Sequence, residues 1–245
     1  MTRLELIGVE GLPEVRPGDD LGELISSQSQ VQNGDVLVVA QKVVSKSEGR
    51  MVNLQSVVAT DEAVQIASRL VANPDPRMVQ VVLDESIRVL RSERVLITET
   101  RHGFVCANGG VDHSNVPGAD EVTLLPEDPD ASAKILRDRL RELAGVEVGV
   151  IISDTFGRPW RLGILNVALG VAGLHALIDL RGKLDDEGRP LHATVIAIAD
   201  ELAAAAGLVM GKTARTPAVI IRGLSLHGTG RGRDLIRPAA EDLFR

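Results

Sequence analysis

Arg101-His-Gly-Phe-Val-Cys-Ala-Asn-Gly-Gly-Val-Asp112-His-Ser-Asn115 is the stretch on which the reading of this chain turns. Phe104 to Ala107 is an apolar run that reads as a buried strand, and it breaks at Gly109-Gly110 into a polar loop carrying Asp112, His113, Ser114 and Asn115. A carboxylate and an amide close together on a glycine-rich loop leaving a strand suit a hard cation or a phosphate. The pattern recurs further on. Val148 to Ile152 is a second apolar run, followed at once by Ser153-Asp154-Thr155-Phe156-Gly157-Arg158-Pro159-Trp160. Two strand exits, each presenting an aspartate, define a candidate site.

The bulk properties narrow the class. With 245 residues, 25% charged and 44% hydrophobic, the chain has globular composition and length for a substantial core. A net charge of −7 gives no basic footprint, and three Phe, one Trp and no Tyr offer no stacking platform, which argues against nucleic-acid binding. The single cysteine, Cys106, reads as a buried thiol packing as a small hydrophobe, and an intrachain disulfide is excluded. Met1 to Val9 lacks the apolar core of a signal peptide. Leu162 to Leu180 is apolar but holds Asn166, His175, Asp179 and three glycines, so it reads as core rather than a membrane span. The cytoplasm is the default location.

Taken in order, Leu4, Leu6 and Gly8 suggest an opening strand, and Asp19 or Asp20 can cap a helix with Leu21, Leu24 and Ile25 inward. Asn33-Gly34-Asp35 is a turn before a buried strand, Val36 to Val39. The cations and hydroxyls of Gln41 to Arg50 then suit either phosphate binding or a solvated edge, and Lys46 is expected to be exposed without ligand. Thr60 caps a helix from Asp61 to about Ala72, and Met78 to Leu83 continues as helix. Ile87 to Leu90, Val95 to Thr98 and Phe104 to Ala107 look like an antiparallel group with turns at Ser92-Glu93 and Arg101-His-Gly. Asp128-Pro129 opens a helix to Leu143 whose apolar face is Ala133, Leu136, Leu140 and Leu143. The glycines of Leu162 to Leu180 favour close-packed strands, Ala193 to Met210 reads as a long buried helix, and Pro217 to Ile221 as a strand. No repeat or linker divides residues 1–245, which read as one domain with room for two lobes.

Asp112, Asn115, Asp154 and Thr155 offer oxygen ligands suited to Mg²⁺ or Mn²⁺. Two carboxylates do not make a tight cage; they fit an ion completed by nucleotide phosphates. The histidines show no zinc spacing, and His113 reads as polar surface. Gly211-Lys212-Thr213 looks like the tail of a P-loop, but Ala206 stands where its first glycine belongs. The residues themselves thus point to a metal-assisted, phosphate-handling α/β enzyme.

Nine collinear segments carry a more specific resemblance. Among them are Gly11-Leu-Pro-Glu-Val15, Val44-Ser-Lys-Ser-Glu-Gly49, Gly110-Val-Asp-His-Ser-Asn115, Ser153-Asp-Thr-Phe-Gly-Arg-Pro-Trp-Arg161 and Ile236-Arg-Pro-Ala-Ala-Glu-Asp-Leu-Phe244. Together they resemble the coenzyme F420-0:L-glutamate ligase family. The resemblance implies an α+β fold with mixed, largely antiparallel sheets and flanking helices, assembled as an intertwined homodimer. It implies GTP-dependent addition of L-glutamate to the terminal carboxylate of F420-0 through an acyl phosphate, and of a further γ-linked glutamate. Mg²⁺ or Mn²⁺, two ions in all, and K⁺ are the implied cofactors. By position, Asp112 and Asp154 match the catalytic first-metal ligands and Thr155 a second-metal ligand. Leu12, Pro13, Glu14, Val15, Gln41, Lys46 and Asn115 match nucleotide contacts. So does the loop Met210, Gly211, Lys212, Thr213, Ala214, Arg215, Thr216 and Pro217. Lys212 and Ile164 stand where glutamines are common in the family, which leaves room for a ligase of another carboxylate and amine, or a non-catalytic nucleotide-binding dimer. In some bacteria such a domain is fused to a flavin-binding C-terminal domain, and only the ligase half is expected here.

Overall fold

A strand with no polar position must be covered on both faces, and Val36-Leu-Val-Val39 leaves no alternative. The computed structural model describes residues 3–114 and 118–242. The chain opens with β1 (Glu5–Gly8) and enters α1 (Leu21–Gln28), where the Asp20 carboxylate caps the helix by accepting from the Glu23 N–H. β2 (Val36–Ala40) is followed immediately by α2 (Gln41–Ser47), β3 (Met51–Asn53), α3 (Asp61–Arg69) and α4 (Pro76–Asp84). Next come β4 (Ser86–Glu93), β5 (Val95–Thr100), β6 (Val105–Ala107) and β7 (Glu121–Thr123). α5 (Pro129–Ala144), β8 (Gly149–Arg158), β9 (Arg161–Ala172), β10 (Ile178–Asp179), β11 (Val195–Ile196), α6 (Ile198–Met210) and β12 (Ala218–Arg222) complete the order.

The main sheet runs β1-β12-β2-β8-β9, antiparallel except for the parallel pair β2–β8. Alternation along each strand sorts side chains to two faces. Leu37, Val39, Val150, Ile152 and Ile220 meet Ala133, Leu136 and Leu140 of α5 on one side. Val36, Val38, Ile151, Val219 and Ile221 meet Ala199, Leu202, Ala203 and Ala206 of α6 on the other. A second core lies under α3 and α4, where Ile66, Leu70, Val79 and Val82 pack on Leu96, Val111, Val122 and Leu124. It carries the antiparallel sheet β4-β5-β6 and the pair β3–β7. The fold is therefore mixed α+β with largely antiparallel sheets, as expected.

Several expectations need correction, each for a tertiary reason. Gln41 to Ser47 is a helix and not a solvated edge, because Gln41, Val44 and Ser45 turn inward against the rest of the fold. α3 stops at Arg69, and the β4–β5 turn falls at Arg94, which takes the left-handed conformation, rather than at Ser92-Glu93. Phe104 and Cys106 are buried but Val105 and Ala107 are exposed, so that stretch alternates as a sheet-edge strand instead of lying wholly inside. Leu143 is exposed at the end of α5. α6 begins at Ile198; Val195 and Ile196 pair instead with β10, and Leu208 faces outward.

The largest correction concerns the apolar runs around Asp154. β8 does not end at Ile152 but continues to Arg158 and folds back at Pro159-Trp160 into β9, so Asp154 lies within a hairpin and not at a strand exit. The start of the Leu162 to Leu180 segment is not core. Leu162 is 96% exposed and Ile164 60% exposed, while burial begins in earnest at Ala168.

Candidate active site

Strand direction explains why distant segments meet. Gly8 pairs with Val219, Ala218 with Val39, and Ala40 with Ser153, so the end of β1, the end of β2, the start of β12 and the middle of β8 share one end of the sheet. The Val9 N–H donates to Ala218 O (2.9 Å) and the Ala40 N–H to Pro217 O (2.7 Å), which draws the loop after α6 onto that end. Ligand sites in α/β sheets gather beyond the carboxyl ends of parallel strands, and β2 and β8 supply such a pair.

Asp112 arrives from the second lobe. Asn108, Gly109 and Gly110 all adopt positive φ, and at Gly110 a Cβ would sit 2.6 Å from Leu125 Cγ, so only glycine fits there. The chain emerging from that turn bridges Thr123, with N–H to O distances of 3.0 and 2.8 Å in the two directions. Lys42 then reaches Asp112 Oδ2 at 2.8 Å and the Ser114 carbonyl at 2.8 Å, while the Ser114 N–H donates to Asp112 Oδ1 at 2.7 Å. Burial works against ionisation of Asp112, but the Lys42 ammonium and the Ser114 N–H outweigh it and hold the carboxyl below its ordinary value.

Asp154 is balanced the other way. Burial, reinforced by the negative charge of Asp112, pushes its carboxyl up to about 6, against the pull of the Thr155 N–H, Lys212 and Lys42. Two carboxylates that repel each other in a partly desolvated pocket call for a cation. Beside Asp154, the Cys106 thiol is raised to about 12 by burial and by the Asp154 charge, so it stays protonated and offers no nucleophile. Its packing role stands.

Thr155 Oγ1 lies 3.0 Å from Asn166 Oδ1 and 2.5 Å from Lys212 Nζ. Gln41 is buried and its amide Nε2 donates to Ser45 Oγ (2.8 Å) and Leu124 O (2.9 Å), joining the two lobes. Lys46 is only 5% exposed and ion-pairs with Glu14, which corrects the expectation of an exposed lysine. Loss of this buried cation therefore touches the fold itself. Lys46→Ala is expected to lower stability by about 1–3 kcal/mol, read from a urea midpoint, alongside weaker nucleotide binding in the same preparation. Leu12 and Thr216 line a cleft of about 600 Å³ together with Gly8, Glu10, Gly11, Val209, Ala214 and Arg215. Val15 and Met210 are buried beside it in sequence, Pro13, Gly211 and Thr213 are exposed, and Pro217 is half-buried. Asn115 lies outside the described residues. His113 tethers its loop through Ala119 O at 2.8 Å.

Sequence reasoning missed two contributors. Lys42 was visible only as one cation in a polar run, and its pairing with Asp112 is a contact across lobes. Asn166 was visible as a lone amide in an apolar stretch, but its link to Thr155 needs the β8–β9 register that pairs them.

A divalent ion is compatible with this donor set: Asp112 and Asp154 present hard carboxylate oxygens and Thr155 a hydroxyl. No group of three or more Asp, Glu, His or Cys side chains able to hold a metal occurs among the described residues, so phosphate oxygens would have to complete the coordination. No helix among them is long and apolar enough to cross a membrane.

Residues 11–223 match the family described as F420-0:Gamma-glutamyl ligase. The chain is 47% identical to a protein of Methanopyrus kandleri named Coenzyme F420:L-glutamate ligase, over the full length of both. Proteins with the same name from Haloarcula marismortui and Methanocaldococcus jannaschii are 47% and 45% identical, over 99% of this chain and 96% and 97% of theirs.

Proposed function

Because this chain belongs to the F420-0:gamma-glutamyl ligase family, we propose that it is a GTP-dependent acid–amino-acid ligase joining L-glutamate to the terminal carboxylate of coenzyme F420-0. The observation that carries the reading is the meeting of Asp112, Asp154 and Thr155 with Lys42 and Lys212 at the end of the sheet that also borders the 600 Å³ cleft.

Amide formation from a carboxylate needs a better leaving group than oxide. The acceptor carboxylate oxygen attacks the γ-phosphorus, the bond to GDP breaks, and an acyl phosphate forms. The neutral amine of glutamate then attacks the acyl carbon, phosphate departs, and the amine proton passes to phosphate or solvent. Repetition on the new side-chain carboxylate adds a γ-linked glutamate. Both transfers are dominated by positioning and charge neutralisation. Lys46, Lys42 and Lys212 bind and orient phosphate oxygens as point charges. Asp112 and Asp154 hold the divalent ion, Mg²⁺ or Mn²⁺, which when bound neutralises charge on the transferring phosphoryl group. K⁺ is an accessory cation under the same reading, and the cytoplasm, where GTP is available, is the site of action.

Mass spectrometry of a reaction containing F420-0, L-glutamate, GTP and Mn²⁺ tests this. The product is expected to gain glutamyl mass only when all four are present; GTP-independent product, or none, overturns the reading. Competing acceptors in the same assay separate it from a ligase for another carboxylate and amine.

A homodimer belongs to the proposal. Trp160, Leu162, Ile164 and Leu165 are exposed large apolar side chains at the β8–β9 hairpin tip, which supports pairing with a second copy. Leu162→Glu with Ile164→Glu is expected to convert a dimer to monomer in light scattering; a wild-type protein that is already monomeric refutes the assembly.

A further inference from the structure

The Thr155 hydroxyl has one proton to give and two lone pairs to offer. Its oxygen lies 3.0 Å from Asn166 Oδ1, a carbonyl oxygen that can only accept, so the proton points there. The Asn166 orientation agrees with its surroundings, since Nδ2 faces the weak acceptor Met210 Sδ at 3.7 Å. α6 packs hard on this amide: a Cβ at Gly207 would stand 3.2 Å from both Asn166 Cγ and Nδ2. With its proton committed, Thr155 Oγ1 accepts from Lys212 Nζ at 2.5 Å. One of its two lone pairs is thus taken by an ammonium delivered from the loop that follows α6.

Charge makes the same point. Around the centre, Asp112 and Asp154 contribute two negative charges, and Lys42 and Lys212 two positive ones. The protein side is already neutral. A second divalent ion at Thr155 must either expel the Lys212 ammonium or sit beside a like charge at the same oxygen.

We propose that the Lys212 ammonium occupies the position at Thr155 where a second divalent cation would bind, so that each chain holds one divalent ion with its nucleotide. This rests on the metal- and nucleotide-dependent reading of the site given above. Lys212 is then a fixed positive charge for a terminal phosphate and a cation that cannot dissociate on dilution of metal.

Electron paramagnetic resonance of Mn²⁺ bound in the presence of a non-hydrolysable GTP analogue, with the bound ion counted by equilibrium dialysis, tests this without turnover. The wild-type chain is expected to hold one Mn²⁺ with an uncoupled hyperfine spectrum. Lys212→Gln, at an exposed position that should not disturb folding, is expected to hold two, with spin–spin broadening between them. Adding Thr155→Val to that variant should return the count to one. Two coupled ions in the wild type, or one ion in both wild type and Lys212→Gln, overturns the proposal. No bound ion in any of them removes the divalent-metal reading of Asp112 and Asp154 itself, and the proposal with it.

Discussion

Asp154→Asn is expected to raise the melting temperature of the metal-free protein while abolishing ligation. Burial and the neighbouring Asp112 charge lift the Asp154 carboxyl from 3.8 to about 6. The folded state therefore binds this proton more tightly than the unfolded chain does. Stability falls as pH rises through the window between those values, and above it the folded protein carries the full cost of an unfavourable charge. That gap corresponds to roughly 2–3 kcal/mol at neutral pH. Asparagine removes the charge and keeps the shape. Melting curves at pH 7 should favour the variant, and the advantage should disappear near pH 4, where both side chains are neutral. Turnover should move the opposite way, by a loss on the order of 10³-fold, since charge stabilisation of several kcal/mol is removed at the phosphoryl group. Divalent ion with nucleotide should stabilise the wild type far more than the variant. A variant that keeps turnover within about tenfold would sink the assignment of Asp154.

The second large effect is purely structural. Gly170→Ala is expected to cost more than about 3 kcal/mol, enough to prevent accumulation of folded protein at 37 °C. A Cβ at this position would stand 2.0 Å from Pro129 O, 2.3 Å from Pro129 C and 2.9 Å from Asp130 N. These are backbone atoms at the start of α5 and cannot rotate away. The close approach also lets Asp130 Oδ1 accept from the Val171 N–H at 2.9 Å and the Gly232 N–H at 2.6 Å. Gly157→Ala is the control, because nothing lies within 4 Å of its Cβ position. Urea midpoints should separate the two clearly, with Gly157→Ala within about 0.5 kcal/mol of wild type. Equal midpoints would show that α5 can slide on β9, contrary to the packing described.

What the sequence revealed followed from strong local rules. Val36 to Val39 has no polar position, so its burial was legible, and Asp20, Thr60 and Asp128 announce their helices by capping chemistry. The aspartates of the site were legible because each follows an apolar run. The errors have a common source in contacts between distant segments. Lys46 looks like surface in any window, yet Glu14 and the packing of α2 bury it. Leu162 and Ile164 look like core, yet the hairpin carries them into solvent, which apolar composition in a local window does not reveal.

The order of strands in the main sheet has a consequence for how the protein comes into being. β1 finds its partner in β12, where Glu5 faces Arg222, and β2 waits for β8 before its parallel edge is covered. On the ribosome β1 remains unpaired until β12 has been made, and such non-local closure is slow. The cleft draws on the segments following β1 and preceding β12, so it cannot exist in any nascent intermediate. A truncated product would keep much of the α3–α4 lobe in its sequence and possess no such cleft at all. The architecture makes the cleft an all-or-none feature that closes only once β12 has been made.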